Sequence, residues 1–438
     1  MRTPIYDFLK SYSSSDAVRL HMPGHKGRGG AFSVDMDITE VKGADALYEA
    51  DGIIKESEMN ASELFGSHTF YSTEGSSLAI RAMLHLAICH GRSEGRKPLV
   101  LAGRNAHKVF ISAAALIGFD IEWLLGGENY LSCTITAEEI ERRLSTMEDL
   151  PCAVYLTSPD YLGNTVDIRK IADTCHKFGV LLLIDNAHGA YLKFLPESRH
   201  PIDLLADMCA DSAHKTLPAL TGAAYLHISK ALPDYFKENA KSALSLYGST
   251  SPSYLILASL DLANLWANKL CDALSMAKEL REKLEKRGFE LCGDEPLKLT
   301  VCPKSYGYTG VELSELLLEK GISCEFADPD YVVFMFSSAS VALDFERLSR
   351  ALLSIERRSC VIAPMPSPSL PLRAMSPREA IFSPSELIPL DDAEGRVLAA
   401  VSVGCPPAVP LVVSGEVIDS KAIEAMRYYG ITKVSVIK

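Results

Sequence analysis

Short runs of continuously apolar residues, each closed by a polar turn and followed by a helix-patterned stretch, constrain this chain most. Leu99–Ala102, Ala153–Thr157, Val180–Ile184, Met208–Ala210 and Gly222–Ile228 are such runs. None alternates apolar with polar residues, so each is expected to be a strand buried on both faces. Between them, the spacing predicts a helix over Lys108–Ile117, a further strand over Asp120–Leu125, and a capping box at Thr136 and Glu139. Asp167 is expected to cap a helix that stops at Gly179. Repeated alternation of this kind implies an α/β fold, a mostly parallel sheet covered by helices on both faces.

Two of these strands end in chemistry. The run 180–184 stops on Asp185-Asn-Ala-His-Gly189, and the run 208–210 leads into Asp211-Ser-Ala-His-Lys-Thr216. Open α/β sheets bind ligands just beyond the carboxyl ends of their strands. A lysine there forms a Schiff base once its amine is neutral, which desolvation or a neighbouring cation brings about. A carboxylate in the same region keeps a pyridinium nitrogen protonated. Lys215 and Asp185 therefore suit a pyridoxal phosphate (PLP) site. Taken singly, they read more readily as a loop lysine and a helix cap; the surrounding motifs overturn that reading. Tyr71-Ser-Thr-Glu-Gly-Ser-Ser77 opens a helix whose first-turn amides and hydroxyls suit a phosphate, or a plain serine cap.

The rest of the chain adds bounds. Thr3-Pro4 is expected to start a short helix, and the segment from about 35 to 66 an extended arm with short helices. Ser251-Pro252 is expected to begin a long helix reaching about Gly288, apolar early and charged late. A small α+β unit follows, with strands at Leu297–Cys302, Ile322–Phe326 and Tyr331–Phe336 and helices after Thr309 and over Ser340–Arg357. The stretch from Ala363 to Pro371 is too proline-dense for helix or central strand. A net charge of −12 without a basic block argues against nucleic acid as a partner. No apolar run spans a bilayer, and the start has no apolar signal region, which points to the cytoplasm. The eleven cysteines are scattered, with no C-x-x-C pair and no His/Cys cluster at zinc spacing, so no metal site is expected.

The ordered set His21-Met-Pro-Gly-His-Lys-Gly27, Ser72-Thr-Glu-Gly-Ser-Ser77, Arg104-Asn-Ala-His-Lys108, Asp185-Asn-Ala-His-Gly189 and Ser212-Ala-His-Lys-Thr216 resembles the Orn/Lys/Arg decarboxylases. Met375-Ser-Pro-Arg-Glu-Ala380 and Pro406-Pro-Ala-Val-Pro410 are similar to that family's tail. The resemblance implies a PLP-dependent enzyme of the aspartate-aminotransferase fold (fold type I), with a smaller C-terminal α+β domain. It implies that Lys215 holds the cofactor covalently and that Asp185 pairs with the pyridine nitrogen. His107 would stack on one ring face and Ala187 would pack on the other. Gly75, Ser76, Ser212 and His214 would hold the phosphate, and Ser251 would reach the site of a neighbouring subunit in a homodimer or larger homo-oligomer. His188 and Lys215 are the candidates for reprotonating Cα. The implied reaction is decarboxylation of a basic amino acid (arginine, lysine or ornithine). Glu416 and Asp160 are candidates for gripping its distal cation. An aminotransferase or lyase with the same two key residues, and a non-catalytic PLP- or polyamine-binding relative, are the alternatives.

The expected domains are an N-terminal arm (1–65), a PLP-binding large domain (66–288) and a C-terminal small domain (289–438) with the proline-rich bridge at about 361–376. The chain resembles the family's short form, without a receiver-like N-terminal domain. Three positions depart from the family pattern. Glu74 stands where asparagine is usual, Asn186 where glutamate is usual, and the tail segment reads Pro-Pro-Ala-Val-Pro instead of Pro-Pro-Gly-Ile-Pro.

Overall fold

The computed structural model describes residues 1–438 except 29–32, 128, 133, 267–269, 401 and 406–408; side chains are also not described for 266 and 402–405. Part of the tail motif, Pro406-Pro407-Ala408, thus lies outside the described residues, as do Gly29 and Gly30 of the glycine-rich loop.

In chain order the first strands are β1 (His68–Ser72), β2 (Leu99–Gly103), β3 (Asp120–Leu124), β4 (Ala153–Thr157), β5 (Leu181–Asp185), β6 (Met208–Asp211) and β7 (Ala224–Ile228). The helices accompanying them are α1 (Pro4–Ser13), α2 (Ile53–Phe65), α3 (Gly75–Ser93), α4 (Lys108–Ile117), α5 (Ala137–Thr146), α6 (Ile168–Lys177), α7 (Ala213–Thr216), α8 (Asp234–Tyr247) and α9 (Tyr254–Trp266). The chain divides into two compact units, one made of 1–90 and 181–270, the other of 91–180 and 271–438.

In the first unit the strand order is β1-β7-β6-β5. β5 and β6 are parallel, whereas β7 lies antiparallel between β6 and β1. The link from β6 to β7 carries only the single-turn α7, with no helix long enough to return the chain for a parallel pairing. β1 was not anticipated as a strand. The polar residues His68, Thr69 and Ser72 interrupt its apolar signal, yet Tyr71 is fully buried.

The arm is more helical than expected. α2 buries Ile54, Ala61 and Phe65 on one face and closes on Gly66 in the left-handed region. α1 runs two residues beyond the expected Ser11, and Thr3 does not cap it. The cap comes instead from Asp261 on α9, whose Oδ2 accepts from the amides of Ile5 (3.0 Å) and Tyr6 (3.2 Å). A distant carboxylate thus does the work assigned to the adjacent threonine.

In the second unit β2 pairs in parallel with both β3 and β4. The capping box at Thr136 and Glu139 and the Asp167 cap of α6 form as the sequence implies. The remaining elements are α10 (Cys271–Arg287), β8 (Glu290–Cys292), β9 (Lys298–Cys302), α11 (Gly310–Glu319), β10 (Phe326–Ala327), β11 (Val332–Met335), α12 (Ala342–Leu353), α13 (Pro377–Phe382), β12 (Ser385–Pro389), β13 (Ser402–Cys405), β14 (Val409–Val413), α14 (Ser420–Tyr428) and β15 (Lys433–Ile437).

The long helix expected from 251 to 288 is therefore two, α9 and α10, and Leu270 is non-helical and buried. The first is apolar nearly all round and the second is charged on its outer face, so the two suit different surroundings. Strands β8 to β11 form an antiparallel sheet in the order β10-β11-β9-β8, and β10 is shorter than the run Ile322–Phe326 had suggested. Beyond the proline-rich stretch, β12 pairs with β15 and β13 with β14. Leu411, Val412, Ile418, Met426, Val434 and Val436 belong to one buried cluster there.

Candidate active site

The first unit gathers Asp185, Ala187, His188, Ser212, His214 and Lys215 at the carboxyl ends of β5 and β6, with Gly75 and Ser76 at the start of α3. Asp185 is the last residue of β5, paired in parallel with Ala210 of β6. It is 2% exposed, and its Oδ1 accepts from the Ala187 amide at 3.2 Å, which folds the following turn back over the strand end. That turn carries Asn186, Ala187 and His188, and it closes on Gly189, whose amide donates to the Asn186 carbonyl at 2.8 Å. Gly189 is required by space. A Cβ there would sit 2.0 Å from Asn186 Oδ1.

β6 ends at Asp211, and Ser212 leads directly into α7, which holds His214 and Lys215. Lys215 Nζ lies 2.8 Å from His188 Nε2, so the two candidate proton carriers share a hydrogen bond. His188 is buried. His214 Nδ1 donates to the Ala223 carbonyl at 3.0 Å, which fixes that tautomer and orients the ring. The Ser212 hydroxyl donates to the Ser76 hydroxyl at 2.8 Å, tying the β6 turn to the first turn of α3.

Gly75 opens α3 with φ +72°, and its amide donates to the Gly222 carbonyl at 2.7 Å. A left-handed residue at a helix start turns the first amides and the Ser76 hydroxyl toward one side, the arrangement in which helix N-termini receive anions. Glu74 does not face that turn. Its Oε1 accepts from the Ser249 amide at 2.6 Å, so it holds the loop bearing Ser251, which is exposed.

His107 belongs to the second unit. It is the N-cap of α4, with Nδ1 accepting from the Val109 amide at 3.2 Å. The same unit corrects the two candidates for the distal cation. Glu416 Oε2 receives Arg104 Nη2 at 2.9 Å and the Val413 amide at 2.7 Å, with both charged side chains buried. Burial pushes its carboxyl up from the usual range, against the pull of Arg104. Asp160 accepts from the amides of Leu162 and Asn164 and from Asn164 Nδ2, each at 2.9 Å. Both carboxylates already hold this chain's own donors together, a task that a sequence pattern does not reveal.

The structure also shows a buried cluster that the sequence did not suggest. Asp211 receives Asn186 Nδ2 at 2.7 Å on Oδ1, and His200 Nε2 (3.1 Å) and His227 Nε2 (3.2 Å) on Oδ2. Cys209 Sγ lies 3.9 Å from Oδ1. His200, Cys209 and Asp211 bring metal-ligating atoms within 4.8 Å of one another, but hydrogen bonds to the one carboxylate account for their arrangement. Burial opposes charge on Asp211, and His200 and His227 outweigh it, holding the carboxyl well below its usual range. Burial pulls His227 below its usual range, against the pull of Asp211. Its Nδ1 lies 3.0 Å from Thr69 Oγ1. The only hints in the sequence were the residues flanking the two motifs, Asn186 and Asp211.

Comparison with solved structures identifies the fold. The lysine decarboxylase LdcF of Francisella novicida matches with a TM-score of 0.80 over 100% of this chain and 81% of that chain, at 18% identity. Lysine decarboxylase A of Pseudomonas aeruginosa matches at 0.79 over 99% and 80%, at 20% identity. A Nostoc alanine–glyoxylate aminotransferase matches at 0.55 over 68% of the chain. The fold is that of the PLP-dependent enzymes of fold type I, with a mostly parallel central sheet and a smaller C-terminal domain.

The family follows from sequence. The model for the Orn/Lys/Arg decarboxylase major domain matches residues 3–291, and that for the C-terminal domain matches 365–435. The arginine decarboxylase of Bacillus subtilis (strain 168) is 31% identical, with 96% of this chain and 92% of that protein covered. The arginine decarboxylase of Halalkalibacterium halodurans is 29% identical over 97% and 93%. The chain belongs to the Orn/Lys/Arg decarboxylase family, and its class of activity is PLP-dependent amino acid decarboxylation.

The donor set suits that cofactor. An amine, a buried carboxylate at a strand end, and paired hydroxyls at a helix N-terminus answer the carbonyl, ring nitrogen and phosphate of PLP in turn.

Proposed function

We propose that this protein decarboxylates a basic amino acid (arginine, lysine or ornithine), releasing CO2 and the corresponding amine. The observation that carries the reading is the convergence of Lys215, His188, Asp185 and the Ser76–Ser212 pair at the ends of β5 and β6. Bound PLP supplies the electron sink for the bond that breaks. Lys215 would hold it through Nζ, and Asp185 would keep a proton on the ring nitrogen. Gly75, Ser76, Ser212 and His214 would hold the phosphate, and Ala187 and His107 would cover the ring faces. The 2.8 Å contact between Lys215 Nζ and His188 Nε2 lets the pair share the proton that Cα needs after CO2 leaves. Ser251, on the loop fixed by Glu74, would serve a second subunit in a homodimer or larger assembly. A cytoplasmic location and the three domains set out above belong to the same reading. Among the described residues no helix is long and apolar enough to cross a membrane.

The test is a product screen of PLP-loaded protein against a panel of amino acids, scoring amines and CO2 together by mass spectrometry. One basic amino acid is expected to yield its amine and CO2 in equal amounts. An oxo acid without CO2 would reassign the protein as an aminotransferase. No turnover with PLP bound would make it a binding relative. Lys215→Ala is expected to abolish the visible absorbance of the bound cofactor, and Asp185→Ala to retain cofactor while losing most turnover.

A further inference from the structure

We infer that Asp211 and Asn186 form a positioning clamp that sets the spacing of the two turns carrying the site. The inference rests on the PLP reading above for its functional consequence, but not for the clamp itself. Asn186 lies between Asp185 and the Ala187–His188 pair, and Asp211 immediately precedes Ser212 and the turn to Lys215. Their side chains meet at 2.7 Å with both residues fully buried. The contact therefore fixes the end of β5 to the end of β6 just beyond the last paired residues, Asp185 and Ala210.

Three features show that the pair is built for this and is not incidental packing. Among the described residues Asn186 Oδ1 is buried without a hydrogen-bond partner, so the amide is kept for what its Nδ2 donates to. A buried amide oxygen left unpaired is costly, and the bond on its other end must outweigh that cost. Asp211 is held from behind by His200 and His227, so it cannot turn toward the site. The ring of His227 is in turn fixed by Thr69 on β1 and by Ser67 just before it. The carboxylate is thus anchored to the His200 loop and to β7, and presents its other oxygen to Asn186. Gly189 completes the arrangement, because any side chain there would occupy the place of Asn186 Oδ1. The clamp needs one carboxylate and one amide. Two carboxylates at this distance repel in a site without water, and two amides leave the histidine donors without a charge to face.

Asp and Asn have the same shape, so exchanging them separates charge from packing. We would measure PLP affinity by absorbance titration, kcat and KM, and the urea midpoint of the cofactor-free protein. The variants are Asn186→Asp, Asp211→Asn and the double exchange. Asn186→Asp is expected to weaken PLP binding about 30-fold or more, and Asp211→Asn about 10-fold, each mainly lowering kcat with KM little changed. The double exchange restores one carboxylate and one amide but leaves His200 and His227 facing an amide, so it is expected to lose about 10-fold, as Asp211→Asn alone does, and not the roughly 300-fold of independent losses. Losses in the two single variants that simply multiply in the double would overturn the clamp. Wild-type affinity and kcat in Asp211→Asn would also overturn it.

If Asp211→Asn does not fold, Asn186→Ser serves, since it removes only the amide and leaves Asp211 with its histidines. It is expected to fold and to lose PLP affinity about 10-fold; unchanged affinity there refutes the clamp. If wild type itself takes up no PLP, the proposed function has failed. The urea midpoints of the same cycle then decide the clamp alone: a loss in the double below the sum of the two single losses supports it, and additive losses overturn it.

Discussion

Removing Glu416 tests the reading of that residue as a structural counter-ion. Arg104 is 3% exposed, and its guanidinium has three partners in view: Glu416 at 2.9 Å, the Leu411 carbonyl at 3.2 Å and the face of Trp123, 5.0 Å from the ring centre. Its Nε and Nη1 have no hydrogen-bond partner among the described residues. Glu416→Ala leaves this cation buried with one carbonyl and a ring, and breaking such a pair costs about 3–5 kcal/mol. With a urea m-value of about 2 kcal/mol per molar, the midpoint falls by roughly 2 M. Glu416→Gln keeps an acceptor for Arg104 and for the Val413 amide, and the loss drops to about 1–3 kcal/mol. The apolar double Arg104→Met/Glu416→Leu removes both charges at similar volume but leaves the Val413 amide without its acceptor, so it is expected to lose about 1–3 kcal/mol, less than Glu416→Ala. The assay is urea unfolding followed by far-ultraviolet circular dichroism and by tryptophan fluorescence, with coincident transitions required. A loss below about 1 kcal/mol in Glu416→Ala would refute the reasoning, because the pair would then behave as a solvated surface contact. Glu416 would again be available for a substrate cation.

Three further outcomes follow from particular contacts. Burial raises Asp261 to about 6, so between about pH 4 and 6 the folded chain keeps a proton that the unfolded chain has released. Stability should fall by up to about 3 kcal/mol as pH rises through that window and level off above it; Asp261→Asn should flatten this part of the profile, and an unchanged slope counts against the assignment. Ser376→Ala removes the serine from the capping box of α13 and should cost about 1 kcal/mol in urea midpoints, whereas no change would mean the cap is not formed. Glu74→Ala should accelerate amide exchange at Ser249 about tenfold with overall stability altered by less than about 1 kcal/mol, and unaltered exchange would remove Glu74 as the anchor of that loop.

Much of the fold is local, and those parts could be read directly. The apolar runs that became β2, β4, β5 and β6 needed only burial on both faces, and the caps at Thr136, Asp167 and Thr309 needed only residues three apart. The placement of Asp185 at the end of one strand and Lys215 just past another followed from the same local pattern, and so did the serine turn at Gly75. What failed was decided at long range. β1 carries a polar pattern and is a strand because β7 pairs with it. α1 is capped by a residue on α9, not by its own threonine.

The sequence by itself determined most strands of the larger sheet, the residue types at their ends and, through its ordered motifs, the family. Those are set by side-chain type and spacing along the chain. Only the tertiary structure decided which carboxylates are already engaged. Glu416 meets Arg104, Asp160 meets Asn164, and Asp211 meets Asn186 and two histidines. A buried charge is stable only beside its partners, and for Glu416 and Asp211 those partners come from segments well separated along the chain.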